Sequence, residues 1–338
     1  MIRRSVFPSF ALAAAMTLLC PFAVAQPIQL KLAYFGSEDT TLYQAGIKPF
    51  MDAVNAEGKD LLVIKAYSNG ALGKALAEQP KLVLDGTADI AWVIPGQTPY
   101  RFPDNQVLEL PGQFRDLREG TLVYTRLIAA NALRGYEDYF VIGAYTGNPT
   151  IIHSREPIGS LAALKGRKIR ANNPMEAELL ELLGAVPVVM PVVNIEDAIA
   201  KGTLDGAALV PTGLFDFGVG RVAKNHYLLA GGAAPFALVM SRKKFDSLPE
   251  AAQAIIRKSS GERAAAAWIE MFGAVERHSS DRLRAEYGHK IFEPSASDLQ
   301  TARTIYRTLV NGWLERNNRN RELMKAFETE LAAVRAIR

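Results

Sequence analysis

A ten-residue stretch of this chain recurs in related form, identical at five positions. Gly86-Thr87-Ala88-Asp89-Ile90-Ala91-Trp92-Val93-Ile94-Pro95 aligns without a gap with Gly202-Thr203-Leu204-Asp205-Gly206-Ala207-Ala208-Leu209-Val210-Pro211. Each copy reads as a helix stopped by Gly, a tight turn carrying Asp, and a short apolar strand that runs to Pro. Helix-stop glycine and turn aspartate are common punctuation. Gly, Thr, Asp, Ala and Pro at identical offsets are nevertheless better explained by two related α/β units than by coincidence.

The segments around the two copies agree with that reading. Short apolar runs alternate with helical segments, the pattern of an α/β fold with largely parallel sheets. Residues 30–34, 61–66 and 90–94 read as strands, with helices at 43–54 and through Leu76, Leu82, Val83 and Leu84 to a stop at Gly86. In the second half Asn173 is an N-cap and Pro174 takes the first helical position; Leu179, Leu180, Leu182 and Leu183 form the buried face and Gly184 the stop. A strand at 186–190 follows, then a short helix capped by Asn194 and ended by Gly202. Ligands of open α/β sheets sit beyond the carboxyl ends of strands, so residues 92–100 and 209–217 are the loops expected to face one. The remainder is almost purely helical, with one long segment from Pro249 to about Arg284 and another opening at Ser295 to Asp298. These helices are expected to brace the lobes rather than to form a site.

Residues 1–25 read as a secretory signal peptide: Arg3 and Arg4 precede an apolar run at 10–19, and Ala23-Val24-Ala25 offers a cleavage site before Gln26. The run is too short to cross the roughly 30 Å hydrocarbon core and lies between Pro8 and Pro21, which argues against an anchor. Leu19 stands where lipidation of Cys20 would want a small residue. The flanks of Arg3-Arg4 match a twin-arginine signal poorly, so Sec export is expected. Cleavage after Ala25 removes 25 of 338 residues, the only cysteine and two arginines; the remaining 313 residues carry 37 Lys and Arg against 35 Asp and Glu. A chain of that length builds a sizeable core without disulfides. No Lys/Arg cluster interleaved with aromatics points to nucleic acid.

A set of further motifs has a familiar order. Pro157-Ile158-Gly159-Ser160-Leu161-Ala162-Ala163-Leu164-Lys165-Gly166-Arg167-Lys168-Ile169-Arg170 is followed by Leu183-Gly184-Ala185-Val186-Pro187, Met190-Pro191, Lys201-Gly202-Thr203-Leu204-Asp205-Gly206, Lys224-Asn225-His226-Tyr227 and the Leu248-Pro249 helix start. This succession resembles the extracytoplasmic solute-binding proteins of tripartite ATP-independent periplasmic (TRAP) transporters, over nearly the whole mature chain. The resemblance implies a two-lobed, type II-like flytrap with long C-terminal helices. It also implies a periplasmic location, no enzymatic activity, no cofactor, and delivery of a ligand to sodium-coupled membrane transporter subunits. The lobes are expected at 26–148 with 235–272, and at 149–234 with 273–338, in a monomer.

The family's carboxylate-binding arginine falls on Arg170. A planar guanidinium grips a carboxylate through two parallel hydrogen bonds, fixing orientation as well as charge. Two departures from the family bear on the ligand. Many members carry an acid and an Asn after the Asp-Gly turn, where this chain has Ala207, Ala208 and Leu209; sialic-acid-type members carry a second arginine whose nearest counterpart here is around Thr150. A sugar acid is therefore disfavoured. Tyr34, Phe35, Trp92, Phe215, Phe217 and Phe236, with Tyr100 and Tyr145, instead suit an aromatic or otherwise hydrophobic monocarboxylate, with a dicarboxylate or keto acid as second choice. Asn148 and Asn172 are candidate polar contacts, although either also suits a turn.

An enzyme would need a catalytic group that the motifs do not supply. His153, His226, His278 and His289 include no pair at metal-ligand spacing, and there is no Gly-x-Ser-x-Gly elbow, phosphate loop or mature cysteine. Gly231-Gly232 reads as a hinge or turn. The closer rivals are a binding protein of an ATP-driven importer and a ligand-loaded partner of a membrane sensor, which share the lobe plan.

Overall fold

The computed structural model describes residues 26–337. The expected signal peptide, its cleavage site and Cys20 lie outside the described residues. The strands in chain order are β1 (Ile28–Ala33), β2 (Leu62–Tyr67), β3 (Ile90–Val93), β4 (Tyr139–Thr146), β5 (Ile151–Ser154), β6 (Lys168–Ala171), β7 (Val186–Val189), β8 (Gly206–Leu209), β9 (Asn225–Tyr227), β10 (Pro235–Ser241) and β11 (Lys290–Phe292). They form two sheets, ordered β2-β1-β3-β10-β4 and β11-β9-β5-β8-β6-β7.

The two sheets share a plan. In the first, β2, β1 and β3 are parallel and β10 joins β3 antiparallel; in the second, β7, β6 and β8 are parallel and β5 joins β8 antiparallel. The repeated stretch holds equivalent places in both. Gly86 and Gly202 end their helices at φ 77° and 73°, in the left-handed region where a Cβ is disfavoured. Asp89 Oδ2 then accepts from Lys31 N at 2.7 Å while Asp89 N donates to Lys31 O at 2.8 Å. Asp205 repeats this with Lys168, at 2.8 and 2.9 Å. The turn aspartate thus pins the start of the central strand in each lobe, which is why it recurs at the same offset.

Several element boundaries differ from the sequence expectation. Asn173 caps its helix, accepting from Glu176 N at 2.8 Å, but Asn194 makes no side-chain cap, because residues 192–194 form a turn of 3-10 helix that leads directly into the helix Ile195–Ala200. The segment from Pro249 is two helices, Glu250–Lys258 and Glu262–Ala285, broken where Gly261 takes φ 63°. The last segment is likewise two, Ala296–Glu315 and Asn318–Ala336, each with its own cap: Ser295 accepts from Asp298 N and Asn317 from Asn320 N.

The chain crosses between sheets from β4 to β5, from β9 to β10, and along the helix Glu262–Ala285. The first two crossings run side by side, with Gly147 N donating to Ala234 O at 3.0 Å, Thr150 N to Gly232 O at 2.9 Å and Gly231 N to Thr150 O at 2.8 Å. The long helix touches both lobes: Trp268 Nε1 donates to Gly46 O at 3.0 Å beside the first sheet, and Leu283 packs with Leu214 and Val219 beside the second. The final helix is fastened to the first lobe by Arg319 on Asp104 and Arg335 on Glu119, both at 2.8–2.9 Å. The helix before it is fastened to the second lobe by Tyr227 Oη on Asp298 at 3.0 Å, and Arg316 just after it pairs with Glu178.

Candidate ligand-binding site

Between the sheets lies a narrow cavity of about 100 Å³, or about 770 Å³ when all the empty space out to open solvent is counted. Its walls come from the carboxyl ends of the parallel strands, as the topology requires. From the first lobe come Phe35 beyond β1, Ile94 beyond β3, Tyr145 near the end of β4 and Phe236 at the start of β10. The second lobe contributes Arg170 and Asn172 at the end of β6, Leu209 at the end of β8, and Asp216 and Phe217 around the end of the helix Pro211–Asp216. Phe272 and Glu276, one helical turn apart on Glu262–Ala285, complete it. Tyr145 stacks between Phe236, at 5.3 Å and 24°, and Phe272, at 4.3 Å and 22°, so three rings make one stacked aromatic wall.

Arg170 is 2 % exposed. Its Nε donates to Met190 O at 3.0 Å, Nη1 to Ala208 O at 3.3 Å and Nη2 to Asn172 Oδ1 at 3.0 Å. These are three of the five N–H donors of a guanidinium, and all three acceptors are neutral. Among the described residues no carboxylate lies within ion-pair distance of it. The acid whose charge acts on it, Glu176, spends its oxygens on Thr150 Oγ1 and Asn172 N, both at 2.6 Å. Burial lowers the Arg170 pKa to about 10, opposed by the field of Glu176, so it remains a cation at neutral pH. A buried cation held only by neutral groups is costly until an anion reaches it.

Asn172 adds a second donor. Its Oδ1 is taken by Arg170, and its buried Nδ2 has no partner among the described residues, beside the guanidinium and in the cavity wall. Gln97 of the first lobe reaches across the cleft and donates through Nε2 to the Asn172 carbonyl oxygen. A second bond across the cleft joins Thr41 N and Oγ1 to the two carboxylate oxygens of Asp216, at 2.9 and 2.8 Å. The lobes are therefore closed on the cavity.

Behind Asn172 sits a pair of buried acids. Burial raises Glu176, with Arg170 opposing, and burial together with Glu176 raises Glu109 to about 8, so the pair carries a proton at neutral pH. The acids at Asp216 and Glu276 are a separate group. Burial raises both, Glu276 to about 7 with Asp216 adding to the rise.

Of the residues singled out from sequence, Arg170, Asn172, Phe35, Phe217 and Phe236 line the cavity, and Tyr145 with them. Tyr34 does not: its hydroxyl bonds Thr40 Oγ1 at 2.7 Å inside the first lobe. Trp92 is fully buried behind the wall, packed on Trp268 and Phe236. Phe215 faces away, with the Arg282 guanidinium 3.9 Å over its ring, and Asn148 Oδ1 caps Leu117 N at 2.9 Å. Tyr100 is exposed on the surface. The expectation that the C-terminal helices form no site is corrected by Phe272 and Glu276. Their signal was an apolar and an acidic residue four apart on one helix face, which sequence alone cannot tell from packing.

Comparison with known proteins agrees with this geometry. A TRAP solute-binding protein from Rhodoferax ferrireducens T118, solved with copurified benzoate, is 27 % identical and superimposes with a TM-score of 0.85, over 92 % of this chain and 99 % of that one. A marine metagenome TRAP solute-binding protein specific for aromatic acid ligands, solved with 3-hydroxybenzoate, is 26 % identical with a TM-score of 0.84, over 92 % and 99 %. The C4-dicarboxylate-binding periplasmic protein DctP of Rhodobacter capsulatus is 25 % identical over 267 residues, 78 % of this chain and 80 % of its own length. Residues 32–317 match the model of bacterial extracellular solute-binding protein, family 7 (DctP), and the chain belongs to that family of TRAP solute-binding proteins.

Proposed function

We propose that this chain captures a small aromatic or otherwise hydrophobic monocarboxylate in the periplasm, with Arg170 as the carboxylate anchor, and delivers it to the membrane subunits of a TRAP-type transporter. The observation that carries this reading is a buried guanidinium, free of any direct carboxylate partner among the described residues, set in the wall of an otherwise largely apolar cavity. The two N–H groups that Arg170 has left, with the unpartnered Asn172 amide beside them, match the two oxygens of one carboxylate. The stacked Phe236, Tyr145 and Phe272 rings offer an aromatic surface for a ligand ring to pack against. A dicarboxylate fits less well, because the other charged groups of the cavity, Asp216 and Glu276, are acids. The benzoate and 3-hydroxybenzoate complexes of the two similar structures support the same class.

Closure follows from the ligand touching both lobes. Arg170 and Asn172 hold it from the second lobe while Phe35 and Phe236 cover it from the first, so binding favours the arrangement in which both sets meet. The experiment is a thermal-shift screen of refolded, ligand-free protein against small carboxylates, with Arg170→Ala in parallel. Stabilisation by aromatic monocarboxylates that disappears in the variant supports the proposal. Silence across all carboxylates from a folded protein would mean that Arg170 is structural.

A further inference from the structure

The cavity is polar at two separate places. Arg170 and Asn172 form one, under the field of Glu176. Glu276, Asp216 and Thr212 form the other: Thr212 hydrogen-bonds the Glu276 carboxyl group and Asp216 is the charge that acts on it. Asp216 is spent on Thr41. Glu276 receives a similar pair of bonds from the Thr212 hydroxyl and backbone N–H, but one of its oxygens is left unmet. Its side chain is buried, with 4 % of the residue exposed, and Oε2 has no partner among the described residues. A buried carboxyl oxygen left without a donor is costly, and a native fold keeps such a group where something else satisfies it.

The position of Glu276 says what that donor would be attached to. It lies one turn beyond Phe272, the end member of the three-ring wall, and its charge is felt by the Tyr145 hydroxyl in the middle of that wall. Glu276 also borders a shallow groove on the outer side of the long helix, but Asp216, Tyr145 and Phe272, which surround it, line the cavity and not the groove. Arg170, the stacked rings and Glu276 line one cavity, so a ring packed on the stack with its carboxylate on Arg170 shares that cavity with the Glu276 group.

We infer that Glu276 is a specificity-determining residue that accepts a hydrogen bond from a ring hydroxyl of the ligand, so that the cavity selects hydroxylated aromatic acids over their unsubstituted parents. The inference rests on the monocarboxylate reading of the site. Asp216 and Thr212 serve to hold and polarise the Glu276 carboxyl rather than to meet the ligand. Burial leaves that carboxyl with a pKa near neutrality, and in either protonation state Oε2 can accept a phenolic O–H.

Titration calorimetry on refolded protein tests it with benzoate, the 3- and 4-hydroxybenzoates, and 3-fluorobenzoate, which fills similar space without a donor. Wild-type protein should bind one hydroxybenzoate at least about tenfold tighter than benzoate, the scale of one charge-assisted hydrogen bond, and 3-fluorobenzoate should bind no better than benzoate. Glu276→Leu should erase the preference, so that the hydroxybenzoates bind it no tighter than benzoate does, and Glu276→Gln, whose carbonyl still accepts, should retain most of the preference. Equal binding of all four acids by wild type overturns the inference, and so does a preference that survives in Glu276→Leu. In both cases loss of all binding in Arg170→Ala would leave the monocarboxylate reading standing. Failure of wild type to bind any of the four overturns both. Should Glu276→Leu not fold, the wild-type comparison of 3-hydroxybenzoate and 3-fluorobenzoate decides alone.

Discussion

His153 and His226 share a hydrogen bond between their Nδ1 atoms at 2.7 Å, deep in the second lobe. The bond is the middle of a longer chain. His153 Nε2 meets Leu209 O at 3.2 Å, His226 Nε2 meets His289 Nδ1 at 2.7 Å, and His289 Nε2 meets Lys224 Nζ at 3.0 Å. A carbonyl oxygen only accepts and an ammonium only donates. With all three rings neutral, these two ends fix every proton between them: His153 carries its hydrogen on Nε2, and His226 and His289 carry theirs on Nδ1. Two-bond proton–nitrogen spectra of the imidazole rings should show this set of tautomers at pH 7.5; any other set contradicts the chain.

The same histidines set a limit on stability in acid. Burial lowers His153 from its ordinary 6.5 to about 4 and, with the neighbouring charges, His226 to about 2. The unfolded chain therefore takes up protons first as the pH falls. Stability is fully present above about pH 6.5 and is lost below it, by roughly 1.4 kcal/mol per histidine at pH 5.5, or about 3 kcal/mol for the two. Urea midpoints at pH 8 and 5.5 measure the loss, and a His153→Phe/His226→Phe double variant should show a smaller difference between the two.

Glu109 acts with the opposite sign. Its folded pKa is raised to about 8 by burial and by Glu176, so its contribution is fully present below its ordinary 4.5 and is lost as the pH rises through 8. Glu109→Gln keeps the neutral form. The variant should be more stable than the parent at pH 7.5, by on the order of 4 kcal/mol, and no more stable at pH 4. Denaturant melts at the two pH values check this.

Removal of the anchor should affect affinity and shape together. Arg170→Ala should weaken carboxylate binding by at least about 3 kcal/mol, the loss of two charge-assisted hydrogen bonds. It should also abolish ligand-induced compaction in small-angle scattering, because a ligand without differential affinity for the closed state shifts nothing. Compaction of the variant at saturating ligand would show that closure does not depend on Arg170. Arg170→Lys should not restore wild-type affinity, since an ammonium cannot hold Met190 O, Ala208 O and Asn172 Oδ1 while gripping a carboxylate.

Thr41 and Asp216 give a way to loosen closure without touching Arg170. Asp216→Ala removes the two Thr41 bonds across the cleft, leaving that of Gln97 to Asn172, and should weaken binding by about 1–2 kcal/mol, mainly through faster release. Stopped-flow dissociation measures it.

The sequence carried the plan of the lobes because that plan depends on local chemistry. Gly86 with Asp89 and Gly202 with Asp205 must sit where a helix turns into a central strand, and they do. Arg170 came from family resemblance, since nothing local separates a cavity arginine from a surface one. The aromatics divided on geometry that composition does not hold. Phe215 and Phe217 are two positions apart, about 200° around a helix, so when Phe217 faces the cavity Phe215 faces Arg282. Glu276 was illegible because its neighbours in space, Asp216 and Tyr145, are 60 and 131 positions away in the chain.

The two halves are tied to one another by four separate passages of chain: the adjacent pair at Gly147–Thr150 and Gly231–Ala234, the helix Glu262–Ala285, and the link from the helix Ala296–Glu315 to the final helix. A protease that nicks one passage leaves three intact, so limited digestion there yields a cut protein that still migrates as a unit under native conditions. For a split reporter, the break belongs within one half, on a surface turn such as that at Asn131, because no single break between the halves frees either of them.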